Sequence, residues 1–294
     1  MLDRWFHAPA ALTPRVALAD GDDSRAIAAA VALAARGVVE PILVSQKPRE
    51  IDGGSARIRV EDGGRDPLDR AMEMVAHGSA DACVAGASRT TGDVLRSALR
   101  IVGATEQGGL VSSSFFFILP DGTTIGYADC AVVPDPTTEQ LATIAIDTAD
   151  VYEHLAGQEP RVAMLSFSTH GSAKHESATK MREATELIRK RAPHLAVDGE
   201  LQFDAAYVAD VAAAKAPGSA VAGRANVFIF PDLDAGNIAY KITERLGGAR
   251  AFGPLLQGLK RPVHDLSRGC SVDDIVAVAT IAGFQTTRPK ENVT

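Results

Sequence analysis

Short apolar runs alternate along this chain with stretches whose apolar residues recur at helical spacing. Residues 16–19, 41–44, 56–60 and 82–85 read as strands. Between them, 24–36 reads as an Ala-rich helix opened by Ser24 and ended by Gly37, and 67–77 as a helix with Asp66 as cap and Gly78 as stop. A further helix covers 92–101. The middle changes character: 111–119 is β-branched, serine-rich and aromatic, and Asp121-Gly122 predicts a hairpin into 123–127. A long helix follows over 138–155, then buried-type strands at 162–165, 195–197 and 226–230. Helices at 177–191, 205–215 and 235–246, a short strand near Val263 and a last helix over 272–282 complete the pattern.

Strands alternating with helices over the whole length predict an α/β chain with largely parallel sheets and one antiparallel excursion at the hairpin. In open sheets of this kind ligands bind beyond the carboxyl ends of strands, so the chemistry is to be sought in the turns that follow strands. No repeat, low-complexity block or flexible linker stands out, and a composition shift at Thr105-Glu-Gln-Gly-Gly109 is the best local boundary.

Composition narrows the function classes. With 294 residues, 46% of them hydrophobic, the chain is long enough to bury roughly 75% of its unfolded surface, in one large domain or two modest ones. The net charge of −7 and the absence of a basic stripe argue against a nucleic-acid footprint. An anionic ligand must then be held by a few placed arginines. Three widely spaced cysteines with no C-x-x-C pair indicate neither a disulfide framework nor a zinc knuckle. Without a signal-peptide pattern or an apolar run of ~18 residues, the expectation is a cytoplasmic protein.

Four turns after strands are dense in small and polar residues. Ala85-Gly-Ala-Ser-Arg-Thr-Thr91 leads into the helix that carries Arg96, and a glycine followed by a helix N-terminus suits an anion. A tight turn with capping Thr90 or Thr91 explains the same residues. Ser166-Phe-Ser-Thr-His-Gly-Ser-Ala-Lys174 offers amides and hydroxyls to a phosphate, although it is no Walker sequence. Its His170 and the nearby His175 lack metal-site spacing, and no metal is expected. Phe230-Pro-Asp-Leu-Asp-Ala-Gly-Asn-Ile-Ala-Tyr240 places Asp232 and Asp234 as helix caps before Asn237, on a helix continuing to Arg245. The fourth turn, Asp265-Leu-Ser-Arg-Gly-Cys-Ser-Val-Asp-Asp274, groups a hydroxyl, a guanidinium and carboxylates. Ser271 and Asp274 fit a capping box; Asp274 equally fits a carboxylate base beside Ser267 and Arg268. The residues alone leave both open. Cys270 has no histidine partner in sequence beyond the nearby His264, so a covalent cysteine intermediate is not expected.

Taken together these turns resemble the phosphate acetyl/butyryltransferase family, and the phosphate acetyltransferases in particular. The resemblance rests on the segments just quoted together with Asp198-Gly-Glu-Leu-Gln-Phe-Asp-Ala-Ala206, Lys215-Ala-Pro217, Val221-Ala-Gly-Arg-Ala-Asn226 and Gly253-Pro-Leu-Leu-Gln-Gly258. It is dense from about residue 81 to 285, with order and spacing kept. It implies two α/β domains of the isocitrate/isopropylmalate dehydrogenase type, 1–106 plus 259–294 and 107–258, with an active-site cleft between them, and a homodimer. It also implies transfer of acetyl between coenzyme A and inorganic phosphate. Coenzyme A is then a substrate, with no tightly bound cofactor and no metal. Carried to matching positions, Asp274 is the base that takes the thiol proton, Ser267 bonds the carbonyl oxygen and Arg268 steadies developing charge. Arg245, Arg96, Thr90, Thr91 and Asn237 are implied in substrate binding.

In one place the chain departs from the family. Relatives usually carry a longer first domain with a basic Glu-Leu-Arg-Lys-His-Lys-Gly-like stretch, whereas here Val60-Glu-Asp-Gly-Gly-Arg-Asp-Pro67 passes almost directly into the next helix. Arg65 or Arg70 would have to stand in. A transferase for longer acyl chains is the alternative enzyme, although such relatives generally lack the Asp-Leu-Ser-Arg-Gly segment. A catalytically inactive paralogue is the alternative of another class.

Overall fold

The computed structural model describes residue 5 and residues 13–53, 58–105 and 109–287. They form a mixed α/β protein that divides into two compact units, Met1–Glu106 with Gly253–Thr294, and Gln107–Phe252.

In the first unit five strands pair in parallel throughout: β1 (Arg15–Leu18), β2 (Glu40–Ser45), β3 (Arg59–Asp62), β4 (Ala82–Ala85) and β11 (Val263–Asp265), in the order β11-β4-β1-β2-β3. Both faces of such a sheet are covered, which is why β1, β2 and β4 are near-continuous apolar runs, with Val16, Ile42 and Ala82 fully buried. The chain first builds β1, β2 and β3 to one side, then returns to place β4 on the other side of β1. The strand order therefore reverses between β1 and β4. At such a switch point the connections leave in opposite directions and open a crevice at the carboxyl ends.

Helices α1 (Ser24–Arg36), α2 (Pro67–Ala76) and α3 (Thr91–Ile101) connect these strands. Asp23, not Ser24, caps α1, because its side chain accepts from the Arg25 amide while its own backbone is extended. Gly37 ends α1 in the left-handed region, as its position predicts. Only Gly63 to Asp66 separate β3 from α2, so the first unit is as short here as the sequence reads. Strand β3 begins at Arg59; the predicted start at residues 56 and 57 lies outside the described residues.

A six-stranded sheet in the order β10-β5-β6-β9-β7-β8 belongs to the second unit, except that the boundary at Phe252 falls within its edge strand β10. Its strands are β5 (Ser112–Ile118), β6 (Thr124–Ala128), β7 (Arg161–Leu165), β8 (Ala196–Leu201), β9 (Val227–Ile229) and β10 (Arg250–Gln257). The Asp121-Gly122 hairpin makes β5 and β6 antiparallel, while β6, β9, β7 and β8 pair in parallel. Aromatic packing fills its core: Phe117 lies 4.9 Å from Tyr127, whose ring meets Phe228 edge-on at 5.7 Å. Helices α4 (Thr138–Ala156), α5 (Glu176–Arg191), α6 (Phe203–Tyr207), α7 (Ala209–Lys215) and α8 (Leu233–Arg245) complete the unit. The single helix expected over 205–215 is thus two short ones, broken at Val208, which takes extended backbone.

The chain closes in the first unit with α9 (Val272–Thr286), whose residues Ile275 to Phe284 are all buried.

Candidate active site

Three turns of the first unit follow β1, β4 and β11, neighbouring strands at the switch point. After β1, the buried carboxylate of Asp20 accepts from the amides of Ala87 (3.0 Å) and Ser88 (3.1 Å) and from the Ser88 hydroxyl. The turn after β4 is thereby fastened to the turn after β1. Gly86, at φ +111°, lets this second turn also touch the third, since a Cβ there would fall 2.2 Å from Asp265 Oδ1.

Asp265 ends β11. Its Oδ2 accepts from the Thr91 hydroxyl at 2.6 Å, while its Oδ1 is buried with no hydrogen-bond partner. Burial raises its pKa to about 6, helped by the nearby Asp20 charge and opposed by the Thr91 hydroxyl and the Leu266 amide.

Beyond it Ser267, Arg268 and Gly269 are exposed. The Ser267 hydroxyl oxygen accepts from the Gly269 amide at 3.2 Å, and the Arg268 guanidinium has no partner among the described residues. The capping box at the start of α9 is present: Asp274 Oδ2 accepts from the Ser271 amide at 2.8 Å and the Asp274 amide donates to the Ser271 hydroxyl at 3.2 Å. Only one carboxylate oxygen is engaged. Asp274 Oδ1 has no partner among the described residues, so capping leaves an oxygen able to accept a proton.

Cys270 is buried, and burial pushes its thiol up, with Asp274 adding to the shift and Arg25 opposing it. His264 does not activate it. Its Nδ1 accepts from the Leu256 amide at 3.1 Å and its Nε2 meets Gln285 Oε1 at 2.5 Å, and burial lowers its pKa to about 4.

On α3, Thr90 caps the helix by exchanging bonds with Asp93. Arg96 is 74% exposed and pairs with Asp93, with its Nη1 lying 3.5 Å from where a Cβ on Gly92 would be. This guanidinium therefore curls back over the first helical turn. The Thr91 hydroxyl instead points to Asp265. Of the two arginines near the shortened segment, Arg70 is held by Glu61 and Glu73, and the Arg65 side chain forms no hydrogen bond or ion pair among the described residues.

The remaining two turns lie in the second unit. Asn237 donates from Nδ2 to the Cys130 carbonyl (3.0 Å) and accepts at Oδ1 from Lys241 (2.5 Å), which leaves one N–H and one lone pair of its amide open. The helix packs so closely there that a Cβ on Gly236 would sit 2.1 Å from the Asp129 carbonyl oxygen. Arg245, at the end of α8, is 79% exposed and forms one ion pair among the described residues, with Glu244 at 3.5 Å. In the 166–174 loop, the Gly171 amide (2.7 Å) and the Ser168 hydroxyl (2.8 Å) bond Glu200 Oε1. Burial works against the Glu200 charge, but these donors and Arg182 hold it below its usual pKa. Two of the donors expected to cradle a phosphate are therefore taken by a carboxylate of the chain itself. His170 lies 3.2 Å from Asp198, and His175 caps α5.

The structure thus places Ser267 and Arg268 on the exposed turn after β11 and Asp274 in the first turn of α9, into which that turn leads, with Thr91 joined to the end of β11 through Asp265. Sequence reading missed Asp20 and Arg25, although both lie directly after β1. The signal was the acidic turn that ends the first strand, whose neighbours only the strand order discloses.

Residues 58–283 match the family described as phosphate acetyl/butaryl transferase. The chain belongs to this family. It is an enzyme of the acyltransferase class. The phosphate acetyltransferase of Acetivibrio thermocellus is 54% identical over 226 residues, 75% of this chain and 68% of that protein. That of Paracoccus denitrificans is 43% identical over 316 residues, covering 97% of this chain and 99% of its own length. That aligned stretch exceeds the chain's 294 residues, so the relative carries insertions that are lacking here. A phosphotransacetylase structure from Streptococcus pyogenes superposes with a TM-score of 0.87 at 38% identity, covering 93% of this chain and 94% of that one.

Burial of Asp265 makes stability depend on pH. Its folded pKa near 6 lies above the ordinary 3.8, so the folded chain holds this proton more tightly than the unfolded one. Its contribution is full below the unfolded value and is lost as pH rises through the folded one. Asp265→Asn carries no charge to bury. It is expected to raise the thermal midpoint over the parent at pH 8, through at most about 3 kcal/mol, and to leave it unchanged below about pH 4. An equal shift at both pH values would contradict the assignment.

Proposed function

We propose that this enzyme transfers an acetyl group between coenzyme A and inorganic phosphate, by direct attack of the coenzyme A thiolate on acetyl phosphate in a ternary complex. The observation that carries this reading is the exposed turn after β11. It presents a hydroxyl (Ser267), a guanidinium without a partner (Arg268) and a carboxylate with one unengaged oxygen (Asp274) at a strand-order switch point.

Acetyl phosphate is already activated, so a thiolate, alignment and charge stabilisation suffice. In this reading Asp274 Oδ1 takes the thiol proton; with an unperturbed pKa of about 8.5, the thiol needs only modest help. The thiolate sulfur bonds the carbonyl carbon, and the tetrahedral oxyanion accepts from Ser267 and faces Arg268. As the carbonyl reforms, the bond to the phosphate oxygen breaks and phosphate leaves. No enzyme-bound acyl group is required, which agrees with a buried Cys270 whose thiol is pushed up. Coenzyme A is a substrate, and the step needs neither a metal nor a resident cofactor.

The α3 N-terminus with Thr90 and Arg96 suits an anionic group of either substrate. Thr91 supports that turn from within. Arg245, largely exposed beside Glu244, is available to hold phosphate or coenzyme A, and Asn237 keeps one Nδ2 hydrogen to donate. Arg65 replaces the basic stretch of longer relatives.

The three free cysteines fit a reducing cytoplasm, and no helix among the described residues is long and apolar enough to cross a membrane. Ile238, Ile242 and Leu246 form an exposed apolar stripe at helical spacing along α8, with Leu246 84% exposed. A soluble chain covers such a stripe by association, and we assign it to a homodimer.

Arg268→Ala and Asp274→Asn are expected to lower kcat at least about 100-fold. Asparagine keeps an oxygen for the Ser271 amide, so the Asp274→Asn thermal midpoint should stay near the parent's. Rates close to the parent's would remove these roles. Acetyl phosphate should be turned over faster than butyryl phosphate, and the reverse preference would favour a longer-chain transferase. Leu246→Asp should shift the sedimentation coefficient to that of a monomer; an unchanged value would place the interface elsewhere.

A further inference from the structure

Arg25 has a full set of partners in the three turns at the switch point. A guanidinium carries five N–H donors in a fixed planar fork, and here each has an acceptor. Nε bonds Asp23 Oδ1 at 3.1 Å, and Nη2 bonds Asp23 Oδ2 at 2.7 Å and the Ala87 carbonyl at 2.8 Å. Nη1 bonds the carbonyls of Arg268 and Cys270, both at 2.9 Å. Asp23 caps α1 with the same carboxylate, so the fork is itself oriented from the start of that helix. The Asp23 hydrogen bonds keep the guanidinium pKa above its ordinary value, and the charge is permanent.

The other hydrogen bonds of the Ser267–Gly269 segment are internal. Gly269 donates to the Ser267 hydroxyl oxygen, and Cys270 donates to the Ser267 carbonyl at 2.9 Å. These fix the shape of the turn without fixing its place. Between buried Leu266 and buried Cys270, the hydrogen bonds among the described residues that reach this segment from another turn come from Arg25.

We infer that Arg25 is a positioning residue of the reaction: through the Arg268 and Cys270 carbonyls it sets where the Ser267 hydroxyl and the Arg268 guanidinium stand relative to the turn after β4. The inference rests on the reading that Ser267 and Arg268 act on the substrate. Arg25 itself touches neither reacting atom. Its fork cannot be replaced by lysine, whose single nitrogen cannot span carbonyls on two turns while also holding a carboxylate side-on.

The test uses the full-length protein with Arg25→Ala and Arg25→Lys. Three readouts are taken: backbone hydrogen exchange over residues 267–271, kcat and KM for coenzyme A and acetyl phosphate, and recovery of the alanine variant with millimolar guanidinium ion. Displacement of a catalytic group by about 1 Å can cost ~100-fold, so kcat should fall by about 10- to 100-fold in both variants. Both KM values should stay within about threefold, because the groups lost are not ground-state ligands. Exchange should quicken at Gly269, Cys270 and Ser271, and guanidinium should restore part of kcat in Arg25→Ala. Should that variant fail to fold, Arg25→Lys carries the exchange and kinetic tests. Unchanged exchange in the folded variant would overturn the tether. Quickened exchange with an unchanged kcat would leave the tether standing and overturn the catalytic assignment of the turn on which the inference depends.

Discussion

Where strand order reverses between β1 and β4, three turns come together, and beyond the Ala19 and Gly21 amides, which still reach Val84 and Val44 of the sheet, their inward peptide groups lie past the ladder. Peptide groups turned inward there must find other donors and acceptors, because an unpaired buried one costs about as much as a lost hydrogen bond. The chain meets this demand with opposite charges on one turn and the helix it starts. Asp20 gathers the amides of Ala87 and Ser88, and Arg25 gathers the carbonyls of Ala87, Arg268 and Cys270. Both belong to the stretch following β1. That stretch therefore holds its two neighbouring turns, and the exposed groups of the turn after β11 inherit their place from it.

The arrangement carries a cost of its own. Asp265 is buried beside Asp20 with one oxygen unpartnered, and its proton is held to about pH 6. Such a penalty is tolerated where geometry matters more than stability, and it makes the functional end of the sheet less stable than an apolar end of equal packing would be. The carboxyl keeps the Thr91 hydroxyl turned inward, and so sets the first residue of α3. The N-terminus that carries Thr90 and Arg96 is thus joined to β11 through a side chain, independently of Arg25.

Much of this is legible in the sequence. The apolar runs of β1, β2 and β4 and the capping patterns of most helices read directly, since each depends on neighbours in sequence. Asp274 was legible as either cap or base, and it has one oxygen for the first role and one left for the second. Other features lie beyond local reading. No strand is expected near 250–257, yet β10 runs through Gly253-Pro254 at the edge of its sheet, where a missing amide is tolerated. Asp23 displaced Ser24 as the α1 cap because its carboxylate also answers Arg25. The bond from Arg25 to the Arg268 carbonyl links residues 243 apart, and nothing local to either one announces it. In the second unit, Asn237 and the 166–174 loop have the composition of ligand sites, but the structure pairs part of each with its own chain: one bond at each end of the Asn237 amide, and the Gly171 amide and Ser168 hydroxyl on Glu200.

The central claim is that the exposed turn of the first unit, Ser267 to Asp274, is where coenzyme A and the acyl phosphate meet the protein. Arginine footprinting with phenylglyoxal, read by mass spectrometry with and without saturating coenzyme A and phosphate, tests it directly. Arg268 should react readily in the free protein and become protected when both ligands are present, while Arg25, with all its donors engaged, should stay unreactive throughout. Unchanged Arg268 reactivity at saturation, with protection appearing at arginines elsewhere in the chain, would contradict it.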